Sequence, residues 1–134
     1  MDYELRESVP TPESFVALRE AAEMGTRSVE AATQALPNTL YGVSLLEKKS
    51  GETVGMARVV GDGGCYFQIC DVVVDPAHQG GGLGSWMMDA VMEFLTENAP
   101  ETAYVNLIAD VDGFYEQWGF KPTAPESQAM YLLM

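Results

Sequence analysis

The sequence predicts an α+β fold: a mixed, mostly antiparallel sheet flanked by helices. Three observations carry this. Helical apolar stripes and strand-like runs both occur along the chain. Three consecutive strand-like runs are joined by short glycine-bearing loops, the mark of an antiparallel meander. A strand–helix–strand order then follows, which normally makes a right-handed crossover to a parallel strand. With 134 residues and 47% apolar content, the chain is expected to form one domain over residues 1–134, with a single sizeable core.

Taken in order, "YELRES" (Tyr3–Ser8) reads as a short strand. "TPESFVALREAAEM" has Thr11 as a helix N-cap and Pro12 at the first helical position, with Phe15, Leu18 and Ala22 at helical spacing. A second short helix, about residues 28–36, is closed by Pro37-Asn38. Tyr41–Glu47 and Thr53–Val60 are strands around "KKSGE". "GDGG" then turns the chain into a fourth strand, Asp62-Gly63 being a favoured hairpin pair. That strand ends in Val72-Val73-Val74, apolar at successive positions and so expected to be buried on both faces. Leu83, Met87, Ala90, Val91, Phe94 and Leu95 form a helical stripe, with methionine as core filler. "NAP" ends that helix. "TAYVNLIA" (Thr102–Ala109) is the parallel strand, "DGFYEQWGF" a short helix ending at Gly119, and "QAMYLLM" a last strand.

Composition narrows the function. Twenty acidic residues stand against seven basic ones, a net charge of −13. This weighs against nucleic acid, whose phosphates require lysine and arginine. It fits either a solvated acidic surface, including one adapted to a salty cytoplasm, or a field that attracts a cationic substrate. No apolar run reaches the roughly 18 residues of a membrane span, and no basic-then-apolar leader opens the chain. A cytoplasmic protein without membrane contact is expected. Cys65 and Cys70 would lie about 16 Å apart on opposite faces of one strand, too far for a disulfide. Both are expected to be buried thiols, and no zinc-type spacing occurs.

Between the fourth strand and the long helix lie four glycines, Gly80, Gly81, Gly82 and Gly84. A helix N-terminus has unpartnered amides and a partial positive charge, and glycines let an anion approach them. The loop therefore suits a phosphate group, with local N–H donors standing in for a basic patch. It lacks the Gly-Lys-Ser/Thr ending of a P-loop. It also lacks the G-x-G-x-x-G of a dinucleotide site, since Ser85 stands at the third glycine.

"QGGGLG" does match Q/R-x-x-G-x-G/A through Gln79, Gly82 and Gly84. Together with "VVVDP" before it and "FYEQWGF" some thirty residues later, it resembles the GNAT superfamily of N-acetyltransferases over nearly the whole chain. The resemblance implies a GNAT-like sheet and acetyl-CoA as co-substrate. It implies that the backbone of Val72, Val73 and Val74 pairs with the pantetheine arm, and that amides of Gln79, Gly80, Gly81, Gly82, Leu83, Gly84 and Ser85 cradle the pyrophosphate. Tyr115 matches the tyrosine that protonates the departing thiolate, and a phenol near pKa 10 suits that acid. A strand-four N–H would stabilise the oxyanion. Asp71 is the candidate general base, acting directly or through water; ordering of the local backbone is its alternative role. His78 lies in the phosphate loop, at the wrong end of the sheet for a base. Many members carry an asparagine seven residues before the tyrosine, where this chain has Ile108.

The expected reaction is N-acetylation by direct attack of a primary amine, with no metal and no covalent enzyme intermediate. The acceptor would be a small amine or a lysine-containing molecule, with a lean toward cationic ones. Its walls would include the early helices, where Glu23 and Arg27 are polar candidates. Two alternatives stay open: a CoA-binding module without catalysis, and an O- or other acyltransferase. The apolar "AMYLLM" strand would invite a homodimer.

Overall fold

The computed structural model describes residues 2–134. Its strands are β1 (Tyr3–Arg6), β2 (Tyr41–Glu47), β3 (Thr53–Gly61), β4 (Tyr66–Val74) and β5 (Tyr104–Leu107), and its helices are α1 (Pro12–Ala21), α2 (Val29–Ala35) and α3 (Leu83–Asn98). Single 3₁₀ turns cover Leu36–Asn38, Pro76–His78 and Tyr115–Trp118. The strands form one sheet in the order β1-β2-β3-β4-β5. The first three pairings are antiparallel and β4–β5 is parallel. This is the mixed α+β sheet expected, with its crossover through α3.

Local chemistry accounts for the element boundaries. Thr11 caps α1 by accepting the Ser14 N–H at 3.1 Å, and Ser28 caps α2 through Ala31 at 3.0 Å. The β3–β4 connection is closed by one carboxylate: Asp62 Oδ1 accepts the amides of Gly64, Cys65 and Tyr66. These amides, Tyr66 first and then Gly64, hold the Asp62 carboxyl below its ordinary pKa.

The sheet has a core on each face. On one, α3 seats Leu83, Met87, Met88, Val91 and Leu95 against Val43, Leu45, Val59, Phe67 and Ile69. Met88 is fully buried although the predicted stripe omitted it, whereas Ala90 and Phe94 of that stripe are only half-buried. On the other face, Phe15 and Leu18 of α1 and Ala32 of α2 pack with Leu36, Met56 and Val73. Among the described residues no helix is long and apolar enough to cross a membrane.

Three expectations need correction. β1 stops at Arg6 rather than Ser8. Residues 128–134 form no strand: they pair with nothing and are exposed, since strand propensity alone makes no strand without a paired partner. Nor are both cysteines buried. Cys65 lies in the turn before β4 and is exposed, while Cys70 is partly buried; both thiols are free.

Candidate active site

Two irregularities of β4 create the site. Its pairing with β5 runs only from Tyr66 opposite Tyr104 to Ile69 opposite Leu107. From Cys70 onward the edge of β4 that β5 had occupied has no strand partner, so the two strands part. The second irregularity lies on the other edge. Met56 faces Val73 and Arg58 faces Cys70, so the single residue Ala57 stands opposite both Asp71 and Val72. This is a β-bulge, and its extra residue shifts the side-chain alternation by one. Phe67 and Ile69 point toward α3, and so do Val72 and Val74, while Val73 joins the α1–α2 core.

Asp71 takes the left-handed conformation at the bulge, with φ of 55°. That region costs a non-glycine residue roughly 1–2 kcal/mol. A buried clamp offsets the cost. Arg19 of α1 donates to Asp71 Oδ1 at 2.6 Å, and Arg58 of β3 donates to Oδ2 at 2.8 Å. All three side chains are less than a tenth exposed. Arg19 also reaches the carbonyls of Met24 (2.5 Å) and Gly25 (3.3 Å), and Arg58 reaches Thr39 Oγ1 (2.9 Å) while lying 5.7 Å above the Phe15 ring. Sequence reasoning missed both arginines. Their signal was a cation at an inward position: Arg19 follows Phe15 by four, and Arg58 interrupts the apolar run of β3.

The clamp argues against Asp71 as the proton acceptor. Each carboxylate oxygen already accepts an N–H from a guanidinium, and the group does not line the cleft beside it. The geometry instead favours the alternative role, ordering of the strand. Cys70, the residue before, has its thiol pushed up to about 12 by burial first and by the Asp71 charge second.

That cleft has a volume of about 370 Å³. It brings together Tyr115 and every residue expected to contact the cofactor except Gly81, and adds Val111 and Phe114. Its floor at one end is the N-terminus of α3. The first helical bond runs from the Trp86 N–H to the Gly82 carbonyl at 3.0 Å, so the amides of Leu83, Gly84 and Ser85 have no partner within the helix. No side chain caps them, since Gly82 is the N-cap residue, with φ of 78°. A Cβ on Gly80, Gly81 or Gly82 would meet no protein atom within 4 Å, so these glycines leave open space above the amides. Gly84 differs, facing Phe114 at 3.4 Å. The Gln79 side chain donates to the Val74 carbonyl at 2.9 Å and ties the loop to the end of β4. Uncapped amides, an open approach and an unpaired strand edge make a donor set that fits a diphosphate on an amide-bearing arm.

Tyr115 is largely buried, edge-to-face with Phe114 at 4.9 Å and Phe120 at 6.4 Å. Among the described residues no buried polar side-chain atom lacks a partner. The Tyr115 hydroxyl, which bonds to none of them, therefore opens to the cleft. Burial and, less strongly, the Asp110 carboxylate raise its pKa, which keeps the phenol protonated. His78 lies outside the cleft, its Nδ1 2.9 Å from the Tyr3 hydroxyl. Ile108, Glu23 and Arg27 are exposed.

Residues 40–122, more than half of the chain, match the family model of the acetyltransferase (GNAT) domain. The chain belongs to the GNAT acetyltransferase family. GNAT acetyltransferases use acetyl-CoA as the acetyl donor. Among relatives of this GNAT chain, an uncharacterized N-acetyltransferase of Pyropia yezoensis is 35% identical over 88 residues, which cover 64% of the chain and 51% of that relative. The chain spans about half the length, or less, of the first curated relatives it matches. Among solved structures, a Staphylococcus aureus protein of unknown function, described as a probable acetyltransferase, is 40% identical with a TM-score of 0.93, over 98% of this chain and 99% of that one. A GNAT family acetyltransferase from Streptococcus pneumoniae is 25% identical with a TM-score of 0.75, over 98% and 97%.

Proposed function

We propose that this GNAT protein transfers the acetyl group of acetyl-CoA to a primary amine by direct attack of the amine on the thioester. One observation carries the reading: the uncapped amides of α3, the unpaired edge of β4 and the Tyr115 hydroxyl all open into a single cleft.

Bound acetyl-CoA supplies the thioester and a thiolate leaving group. The chain's own residues do the rest. Amides from Gln79 through Ser85 hold the diphosphate, using the positive end of the α3 dipole rather than lysine or arginine. This matters in a chain of net charge −13, where the wider surface repels anions. The backbone of Val72, Val73 and Val74 pairs with the amide-bearing arm as a further strand would. A β4 amide beside the bulge donates to the carbonyl oxygen as negative charge builds there. Tyr115 keeps its proton because its pKa is raised, and gives it to the departing sulfur. Asp71 acts as a positioning residue, holding the bulge that aims those amides. The amine's proton leaves through water at the open side of the cleft. The acidic surface supports a cationic acceptor, a small amine or a lysine side chain.

A thiol-release assay with acetyl-CoA and a panel of amines tests this. Amine-dependent release should fall at least tenfold in Tyr115→Phe with acetyl-CoA affinity unchanged. Binding without turnover on any amine would point to a CoA-binding module, and no binding at all would remove the reading of the cleft.

A further inference from the structure

The chain leaves β4 through the 3₁₀ turn Pro76–His78, and His78 of that turn meets Tyr3 of β1, although β2 and β3 lie between β1 and β4 in the sheet. The imidazole Nδ1 is 2.9 Å from the Tyr3 hydroxyl, and the two rings meet edge to face at 5.7 Å. Glu47 of β2 brings Oε2 to 3.8 Å from the same nitrogen. Tyr3 and Glu47 are themselves paired across β1 and β2, and Ser50 Oγ donates to the other Glu47 oxygen at 2.7 Å. Three elements thus converge on one side chain for which acetyl transfer as described above has no use.

His78 directly precedes Gln79, the first of the amides that hold the diphosphate. Two other bonds support this turn, Asp75 Oδ1 accepting the Ala77 N–H at 2.9 Å and the Gln79 side chain donating to the Val74 carbonyl at 2.9 Å, and both are exposed. The far end of the loop is fixed by Leu83, which is buried. Between the two ends stand Gly80, Gly81 and Gly82, where no protein atom lies within 4 Å of a Cβ position. Glycine loses more backbone freedom on ordering than any other residue. What the loop must give up to close around an anion therefore depends on how many of its residues are already fixed.

We propose that His78 is a positioning residue for the acetyl donor: latched to Tyr3 and Glu47, it fixes the entry to the 79–85 loop so that the loop's amides face the diphosphate before the donor arrives. Whichever of the two groups donates, the latch needs both the hydroxyl and the ring nitrogen. It lies outside the cleft and touches no reacting atom. With the latch closed, the part of the loop left to order begins at Gly80. With it open, residues 76–79 hang on the two exposed bonds. The proposal rests on the reading of the 79–85 amides as the diphosphate site. Ordering one more residue on binding weakens Kd by roughly five- to thirtyfold.

Calorimetric titration of acetyl-CoA into wild type, Tyr3→Phe, His78→Phe and the double variant tests this. Tyr3→Phe removes only a hydroxyl, at a residue that does not line the cleft. Each single variant should raise Kd by roughly five- to thirtyfold. The double variant should lose no more than the weaker-binding single, because removing either partner already opens the latch. With an amine that turns over, Tyr3→Phe should raise the acetyl-CoA KM by the same factor and leave kcat at saturating donor unchanged. Three results would each overturn the latch alone. The first is a Tyr3→Phe protein whose melting temperature falls while its Kd stays within about twofold of wild type, which is what a merely structural contact gives. The second is a double variant in which the two losses multiply. The third is a fall in kcat at unchanged KM. A wild-type protein that binds no acetyl-CoA would instead overturn the reading of the loop, and the latch with it.

Discussion

Replacing Asp71 by asparagine isolates the arginine clamp. Asparagine tolerates the left-handed backbone about as well as aspartate, so the strain at φ of 55° largely cancels in the comparison. What changes is the pairing. Arg19 keeps its carbonyl bonds to Met24 and Gly25, and Arg58 keeps Thr39, but each loses an ionic partner. The amide cannot accept from both guanidinium groups, because one of its two ends is itself a donor. Charge-assisted bonds contribute about 1.5–3 kcal/mol each, and breaking a buried pair costs about 3–5 kcal/mol. With one neutral acceptor retained, the expected loss is about 2–4 kcal/mol, or on the order of 10 °C in Tm. Urea unfolding gives the number directly, and an unchanged slope would show that the denatured state is not the cause. A stability loss below about 1 kcal/mol, together with a fall in kcat, would refute the clamp and restore Asp71 as the proton acceptor.

Tyr115→Phe should also remove an alkaline limb from the pH profile of kcat. Because burial raises the Tyr115 pKa, the acid form survives past the ordinary phenol value, and the wild-type limb should lie above about pH 10. Gly82→Ala, at φ of 78°, should lose about 1–2 kcal/mol of stability. Gly81→Ala, with no positive φ and open space at its Cβ, should leave the melting temperature alone, and equilibrium binding of acetyl-CoA would then report ligand approach by itself. Tyr41, half-buried and stacked on Phe94 with its hydroxyl donating to Glu7 at 2.9 Å, has its pKa raised by desolvation first and by Glu7 second. Folding therefore favours its neutral form. That contribution is complete below about pH 10 and lost as pH rises further, so alkaline melting should be shallower in Tyr41→Phe. Cys65 is exposed and Cys70 has a thiol raised to about 12. A disulfide reagent should accordingly titrate one thiol in the native protein and two after unfolding.

Residue pattern made most of the fold legible. The stripe from Leu83 to Leu95 located α3, the cap pair Thr11-Pro12 located α1, and two glycine-bearing loops ordered the meander. Each is a local signal, complete within a dozen residues. The bulge at Asp71 left no such mark. No glycine stands there, and the valines after it read the same whether or not the alternation slips. Its cause is distant: guanidinium groups 52 and 13 residues away in sequence hold a backbone that aspartate alone would avoid. The segment at 128–134 failed as a predicted strand for a related reason. A strand is a property of two edges, and composition describes only one. In the candidate site, the glycine loop and Tyr115 were visible because a motif fixes their spacing. The buried arginines were not, because a cation among apolar residues is informative only once its partner is known.

The parting of β4 from β5 leaves a sheet edge inside the molecule rather than at its rim. Rim edges invite whole protein strands, and proteins defend them with charge, bulges or brevity. This one is defended by access. β4 stands on one side, the 111–115 segment on the other, and the start of α3 lies at one end. The sheet thus keeps a vacancy in its hydrogen bonding, from Cys70 onward, that is framed by the protein's own segments rather than guarded by charge.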